Sequence, residues 1–190
     1  MSKMCIPQVS IGYIPDELKE GVRVISCVFR GKDGGHNKEY KRHLIDMVSR
    51  NQEEWEDYVD EMINEMPRDS RIYCSVNKRS PRKSSKLLAH KLIDAMDMGG
   101  EHLEHFISHP LSEGISALMT PSSADDKLFL WDCDSKSVYA EVKEKLNDYL
   151  VAEIPTKNGF HFITRPFNPE LVSLPETELK RDALYLIAWT

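Results

Sequence analysis

A run of four large apolar residues at 128–131 leads directly into two aspartates, Asp132 and Asp134. Such a run cannot alternate between core and solvent, so it predicts a strand that is buried on both faces, with its end inside the fold. Successive strand side chains point to opposite faces, and both carboxylates are therefore expected to project to the same side. Like charges this close need a neutralising partner, and a divalent cation is typical where carboxylate oxygens converge. The segment predicts a metal site at a strand end.

Length and composition favour one domain. The chain has 190 residues, of which 41% are hydrophobic and 29% charged, as in an ordinary globular protein. We expect a single domain over 1–190, with an N-terminal strand and helix extension at 1–70 and a core at 71–190. No stretch approaches the roughly 18 to 20 apolar residues that cross a bilayer, and no apolar signal segment follows Met1. A cytoplasmic protein without a membrane partner is the expectation.

Charge is distributed unevenly along the chain. The net charge of −6 argues against a protein that coats nucleic acid by bulk electrostatics. Residues 71–91, however, carry seven Lys or Arg and no Asp or Glu, whereas 53–65 is strongly acidic. A local basic stripe of this kind can bind phosphate groups even on an acidic protein.

The secondary structure pattern alternates strands and helices. Strands are predicted at 22–29, 71–76, 150–155, 159–166 and 183–189, in addition to the run before Asp132. Helices are predicted at 38–50, at 55–66, at 87–96 with a stop at Gly99, and over a segment that carries Val138, Val142, Leu146 and Leu150. The four cysteines show no paired spacing, so neither disulfides nor a zinc knuckle are indicated. The fold class is therefore α/β (α+β), with a mixed or antiparallel sheet covered by helices on one side.

The loop at 77–85 is a candidate phosphate site. It follows a strand, precedes a helix, and contains Lys78, Arg79, Arg82 and Lys83. Free backbone N–H groups and the helix dipole favour an anion at such a position. The glycine pattern of a P-loop is missing, and a solvated basic turn is the alternative interpretation.

Two histidine patterns are candidate sites. His102, His105 and His109 have the spacing of one helix face, which suits zinc, but ordinary packing is the simpler interpretation. His161 lies in an apolar strand behind an Asn-Gly turn that also contains Lys157, and it faces opposite to Phe160 and Phe162. On the same face as the aspartates it would contact a phosphate, with Lys157 assisting from the turn; the alternative is a hydrogen-bonded core histidine.

The segment WDCD at a strand end, followed by a helix and then by Thr-Lys-Asn-Gly-Phe-His at 156–161, resembles the archaeo-eukaryotic primase (primase-polymerase) superfamily. The resemblance covers about 71–190 and implies an RRM-like catalytic core. It implies that Asp132 and Asp134 bind Mg²⁺ or Mn²⁺ and that His161 contacts the phosphates of a nucleotide. Asp182 is the position that matches the third acidic motif, and Gly159 stands where the second motif usually has serine.

These patterns lead to three hypotheses. The first is a metal-dependent nucleotidyltransferase of the primase-polymerase type, which acts on nucleotides and a DNA or RNA template or primer, as in DNA replication. Its catalytic residues would be Asp132, Asp134 and His161, with Asp182 as a further metal ligand. The second is a non-catalytic module that binds nucleic acid or nucleotides, and the third is a metal-dependent nuclease or phosphodiesterase. A structural or partner-binding role is the remaining alternative.

Overall fold

Two four-stranded antiparallel sheets form the framework of the protein in the computed structural model, which describes residues 21–29, 40–47, 52–65, 70–156 and 158–189. The first sheet has the strand order β2-β1-β3-β8 and the second has the order β5-β6-β4-β7. The strands are β1 (Val22–Phe29), β2 (Tyr40–Met47), β3 (Ser70–Ser75), β4 (Phe129–Cys133), β5 (Leu150–Pro155), β6 (Phe160–Thr164), β7 (Thr177–Arg181) and β8 (Leu184–Trp189). The predicted α+β class is confirmed, although the strands form two sheets and not one.

Helices connect and cover the sheets. They are α1 (Gln52–Glu65), α2 (Pro81–Met98), α3 (Gly100–Ser108), α4 (Pro110–Met119) and α5 (Tyr139–Leu146), with single 3₁₀ turns at Pro121–Ser123, Asn147–Tyr149 and Pro169–Leu171. The predicted stop of α2 is confirmed, because Gly99 caps the helix with a positive φ of 63°. Within the described ranges, no helix is long and apolar enough to cross a bilayer.

Two sequence predictions about local structure were wrong. The segment predicted as a helix at 38–50 contains strand β2, which pairs with β1 along eight residues. Pairing with an exposed strand edge outweighs a weak helical pattern. Strand β7 was not predicted, because its sequence TELKR is polar and lies at a sheet edge where no apolar run is needed. Met66, the last residue of the helix predicted at 55–66, lies outside the described residues.

The N-terminal strands belong to the same sheet as the later ones. β1 pairs with β3, and β3 pairs with β8 at the far end of the sequence. A division at residue 70 therefore does not separate two layers of the fold.

Two hydrophobic cores hold the layers together. The first joins the two sheets and α1: Ile25, Cys27, Val59, Met62, Ile72, Cys74, Tyr185 and Ile187 pack with Leu130, Ala152, Ile154 and Ile163 of the second sheet. The second lies on the opposite face of the second sheet, where α5 covers Trp131, Cys133 and Phe162. Strand β4 is thus buried on both faces, as its apolar run predicts. The cysteines in β1, β3 and β4 are all reduced and buried.

Candidate functional site

The site is centred on Asp132 in the middle strand of the second sheet. The register places Asp132 directly opposite His161 on β6 and opposite Glu178 on β7. The His161 Nε2–H donates to Asp132 Oδ1 over 3.3 Å, and Lys180 Nζ lies 2.5 Å from Asp132 Oδ2. Both carboxylate oxygens are therefore engaged by donors from neighbouring strands. The structure brings two of the predicted residues, Asp132 and His161, into direct contact.

The backbone of the first sheet sets the tautomer of His161. The N–H of Leu186 on β8 donates to His161 Nδ1 over 3.3 Å, so Nδ1 acts as an acceptor and the ring proton lies on Nε2. The side chain is only 9% exposed. His161 therefore binds β4 of its own sheet through Nε2 and β8 of the first sheet through Nδ1, which fits the alternative of a hydrogen-bonded core histidine.

Lys180 lies between two carboxylates. Its Nζ is 2.5 Å from Asp132 Oδ2 and 3.4 Å from Oε2 of Glu178, whose side chain is 72% exposed. Burial lowers the pKa of Lys180, but the hydrogen bonds and charges of Asp132 and Glu178 outweigh burial and raise it. Lys180 therefore stays protonated at neutral pH and places a positive charge beside Asp132.

Asp132 is expected to make folding stability depend on acid pH. The hydrogen bond from His161 lowers the pKa of Asp132 from 3.8 to about 2, with burial opposing this and Lys180 adding to it. A depressed carboxyl pKa stabilises the folded state above the unfolded value and loses this contribution as pH falls through the folded value. We expect up to about 2 kcal/mol to be lost between about pH 4 and pH 2.

Urea unfolding of the wild type and of Asp132→Asn across this pH range measures that contribution. The stability difference between the two proteins should shrink as the solution is acidified. A difference that stays constant from neutral pH to the acid end would contradict the assignment.

Asp134 is separate from this cluster. It follows the last residue of β4, its side chain is exposed, and its backbone N–H donates to Glu176 O over 3.3 Å. The prediction that the strand end lies inside the fold is wrong at this residue, because β4 ends at the surface beside the β5–β6 turn. That turn packs closely on β4: a Cβ at Gly159 would lie 1.8 Å from the Cys133 carbonyl oxygen.

Asp182 is committed to a different ion pair. Arg79 Nη1 donates to its Oδ2 over 3.0 Å, and Arg79 Nη2 lies 2.9 Å from its Oδ1. Asn77 Nδ2 adds a hydrogen bond of 3.1 Å. The Arg79 side chain is fully buried and that of Asp182 is 12% exposed. This pair joins the loop after β3 to the start of β8.

The structure does not bring Asp182 to Asp132. Asp132 is opposite Glu178, and Asp182 lies four residue steps beyond Glu178, which is about 13 Å along a strand. Within the part of the chain that the structure describes, no three His, Cys, Asp or Glu side chains converge closely enough to hold a metal ion. With Asp132 bound by two donors and Asp182 bound by Arg79, the residues present do not fit the divalent metal that the resemblance implies.

The basic loop, whose Arg79 binds Asp182, lies at the opposite end of β4 from Asp134. Asn77 Oδ1 accepts from the backbone N–H of Leu128, just before β4 begins, whereas Asp134 follows the other end of that strand. Lys83 Nζ binds Ala124 O at 2.6 Å and Asp125 Oδ1 at 3.0 Å. The prediction that Arg79 binds phosphate is not supported by its position, since the side chain is buried in the pair with Asp182.

The remaining phosphate candidates differ in exposure. Arg82 is exposed on the first turn of α2, whereas Lys78 is partly buried and its stem lies against Gly21. The N-terminus of α2 is capped within the chain, because Ser80 Oγ accepts from the Lys83 N–H over 3.4 Å. Lys157 lies outside the described residues.

The helical histidines border a surface groove. His102 and His105 lie on α3 and line a groove of about 250 Å³ together with Lys91, Asp94, Met98, Phe106 and Glu113. His109 follows α3, and its ring stacks on that of His105 with centroids 4.5 Å apart. These three histidines are exposed, and the contacts they make lie at the surface.

Three contributors to the site had no sequence prediction. Lys180 and Glu178 share one face of β7 through the period-2 spacing of a strand, which an assignment of β7 would have revealed. The backbone N–H of Leu186 could not be singled out from the sequence, because every residue other than proline carries this group. A fourth unexpected residue, Arg23, is fully buried in β1, where its Nη1 donates to the carbonyl oxygens of Ser75 and Val76.

Comparisons with protein-family models, with curated proteins and with solved structures found no match.

Proposed function

We propose that this protein is a non-catalytic module that binds nucleic acid or nucleotides, and that it resembles a primase-polymerase core without the metal chemistry of that family. The observation that carries the proposal is the state of Asp132. Its two oxygens are bound by His161 and Lys180, and the fold satisfies this carboxylate without a metal. The proposal includes a cytoplasmic location, because nucleic acid and nucleotides, the proposed partners, are found there.

The binding surface in this proposal is the first part of α2. Arg82 and Lys86 are exposed there, one turn apart, and the first turn contains no acidic residue. Their charges lie at the positive end of the dipole of an 18-residue helix. Cations at such a position bind the phosphate backbone of nucleic acid, whatever its base sequence.

The proposal predicts salt-dependent binding that depends on α2 and not on Asp132. Fluorescence anisotropy with labelled single-stranded DNA and RNA would compare the wild type with Arg82→Ala/Lys86→Ala. Loss of two phosphate contacts should weaken binding about tenfold or more and reduce the slope of log K against log salt by roughly 1.4. Asp132→Asn should bind as the wild type does.

A matched control removes the same charge elsewhere. Lys136 and Arg165 are exposed and lie outside α2, so Lys136→Ala/Arg165→Ala changes the net charge equally. Equal weakening by both double variants would indicate bulk electrostatics, and an absence of binding by the wild type would refute the proposal.

A nucleotidyltransferase is the second candidate, and one observation favours it. Asp132 and His161 lie directly opposite each other on paired strands, on the positions where the resemblance puts the acidic and histidine motifs. Primer synthesis and extension with NTPs or dNTPs and Mn²⁺, comparing the wild type with Asp132→Asn/Asp134→Asn, separates the candidates. Metal-dependent incorporation that the variant loses would establish the enzyme. Cleavage of labelled DNA or RNA with Mn²⁺ and no nucleotide would point to the nuclease hypothesis.

A further inference from the structure

The ammonium group of Lys180 occupies the position beside Asp132 that a bound metal ion would require. Its Nζ is 2.5 Å from Asp132 Oδ2, while the second oxygen accepts from His161 Nε2. A divalent cation that binds a carboxylate sits within about 2.0–2.6 Å of its oxygens. A metal at that distance from Oδ2 would face the ammonium group at close range, and two cations cannot share one oxygen without strong repulsion.

The backbone holds this ammonium in place. β7 pairs with β4 over five residue pairs, from Phe129 with Arg181 to Cys133 with Thr177. Lys180 is opposite Leu130 and therefore on the same side of the sheet as Asp132. Glu178, two residues earlier on the same face, supplies a second carboxylate 3.4 Å from Nζ. The lysine thus bridges two carboxylates on adjacent strands, which is what a shared metal ion does in a carboxylate site.

We infer that Lys180 is a built-in counter-ion that takes the place of a divalent metal between Asp132 and Glu178, so that this cluster binds no divalent cation. The inference deepens the proposed function, since it gives the reason why the module is non-catalytic. It assigns Lys180 a specific role: the residue neutralises the two carboxylates and excludes metal from them.

Mn²⁺ binding tests the inference directly. Electron paramagnetic resonance of free Mn²⁺, at protein concentrations up to the millimolar range, would compare the wild type with Asp132→Asn. Equal binding by both proteins is expected, because Asp132 is closed to the metal. Binding by the wild type about tenfold tighter than by Asp132→Asn would overturn the inference.

Removing the ammonium group of Lys180 is the second part of the Mn²⁺-binding experiment. Lys180→Met keeps an unbranched stem and removes the charge, so this variant should bind Mn²⁺ at least about tenfold more tightly than the wild type. The added substitution Asp132→Asn should abolish that gain. A folded Lys180→Met protein that gains no Mn²⁺ binding would overturn the inference, since some other feature would then exclude the metal.

The Mn²⁺-binding experiment needs a substitute variant and a check that each variant is folded. Lys180→Gln serves if Lys180→Met does not fold, and circular dichroism establishes folding for each variant. Failure of DNA or RNA binding would refute the proposed function and leave the Mn²⁺ result intact, because the metal assay contains no nucleic acid.

Discussion

Asp182→Asn is expected to lower the free energy of unfolding by about 3 to 5 kcal/mol, because it leaves the charge of Arg79 buried without a counter-charge. The Arg79 side chain is fully buried, and the two nitrogens at its end face the two oxygens of Asp182. Asparagine is the most specific substitution for removing the charge, because Asp182 has a left-handed φ of 51° that asparagine tolerates. The change therefore removes charge with little strain in the backbone. Urea unfolding monitored by circular dichroism measures the loss.

An exposed ion pair in the adjoining loop is the matched control. Asp125 lies 3.0 Å from Lys83, and both side chains are about half exposed. Asp125→Asn should cost less than about 1 kcal/mol, because water screens such a pair. The double variant Arg79→Met/Asp182→Asn, with no buried charge left, should be more stable than Asp182→Asn alone. Similar losses of unfolding free energy in Asp182→Asn and Asp125→Asn would show that the burial of Arg79 does not determine the strength of the Arg79–Asp182 ion pair.

The parts of the fold with strong local signals could be predicted from the sequence. β1 and β5 have the predicted bounds, and α1 follows its apolar spacing, with Val59 and Met62 buried against the sheets. The apolar run before Asp132 correctly predicted a central strand. In each case the periodicity of a single segment determines which side is buried, so no distant residue is needed to recognise it.

The site depends on register, which no single segment contains. The sequence placed Asp132 and His161 on separate strands, and only the antiparallel pairing of β4 with β6 makes them neighbours. Asp182 matches the third acidic motif that the resemblance implies, yet the pairing of β4 with β7 puts Glu178 beside Asp132. Arg79 belonged to a basic stripe by composition, but its partner Asp182 lies 103 residues later in the chain. Long-range pairing therefore decides which charges meet.

Gly159→Ala is expected to have the second large effect on stability. Gly159 is in the turn between β5 and β6, which Thr156 closes by donating its N–H to Gly159 O over 2.9 Å and by accepting the Gly159 N–H at Oγ1 over 3.0 Å. A Cβ at Gly159 would lie 1.8 Å from the carbonyl oxygen of Cys133, which belongs to central strand β4 and cannot rotate away. The turn must therefore move away from β4, at a cost of about 3 kcal/mol.

Gly114→Ala is the matched control for this substitution. Gly114 lies inside α4, and a Cβ there would meet no atom within 4 Å. Alanine should stabilise that helix by about 0.5 to 1 kcal/mol, so the two Gly→Ala changes are expected to have opposite signs. Urea unfolding gives both values, and amide spectra should show shifts at Asp134 and His161 in Gly159→Ala only. The same clash would apply to any residue with a Cβ, so glycine here is a requirement of how the turn packs on β4. Unchanged stability in Gly159→Ala would show that the turn and β4 are not in the close contact on which this argument depends.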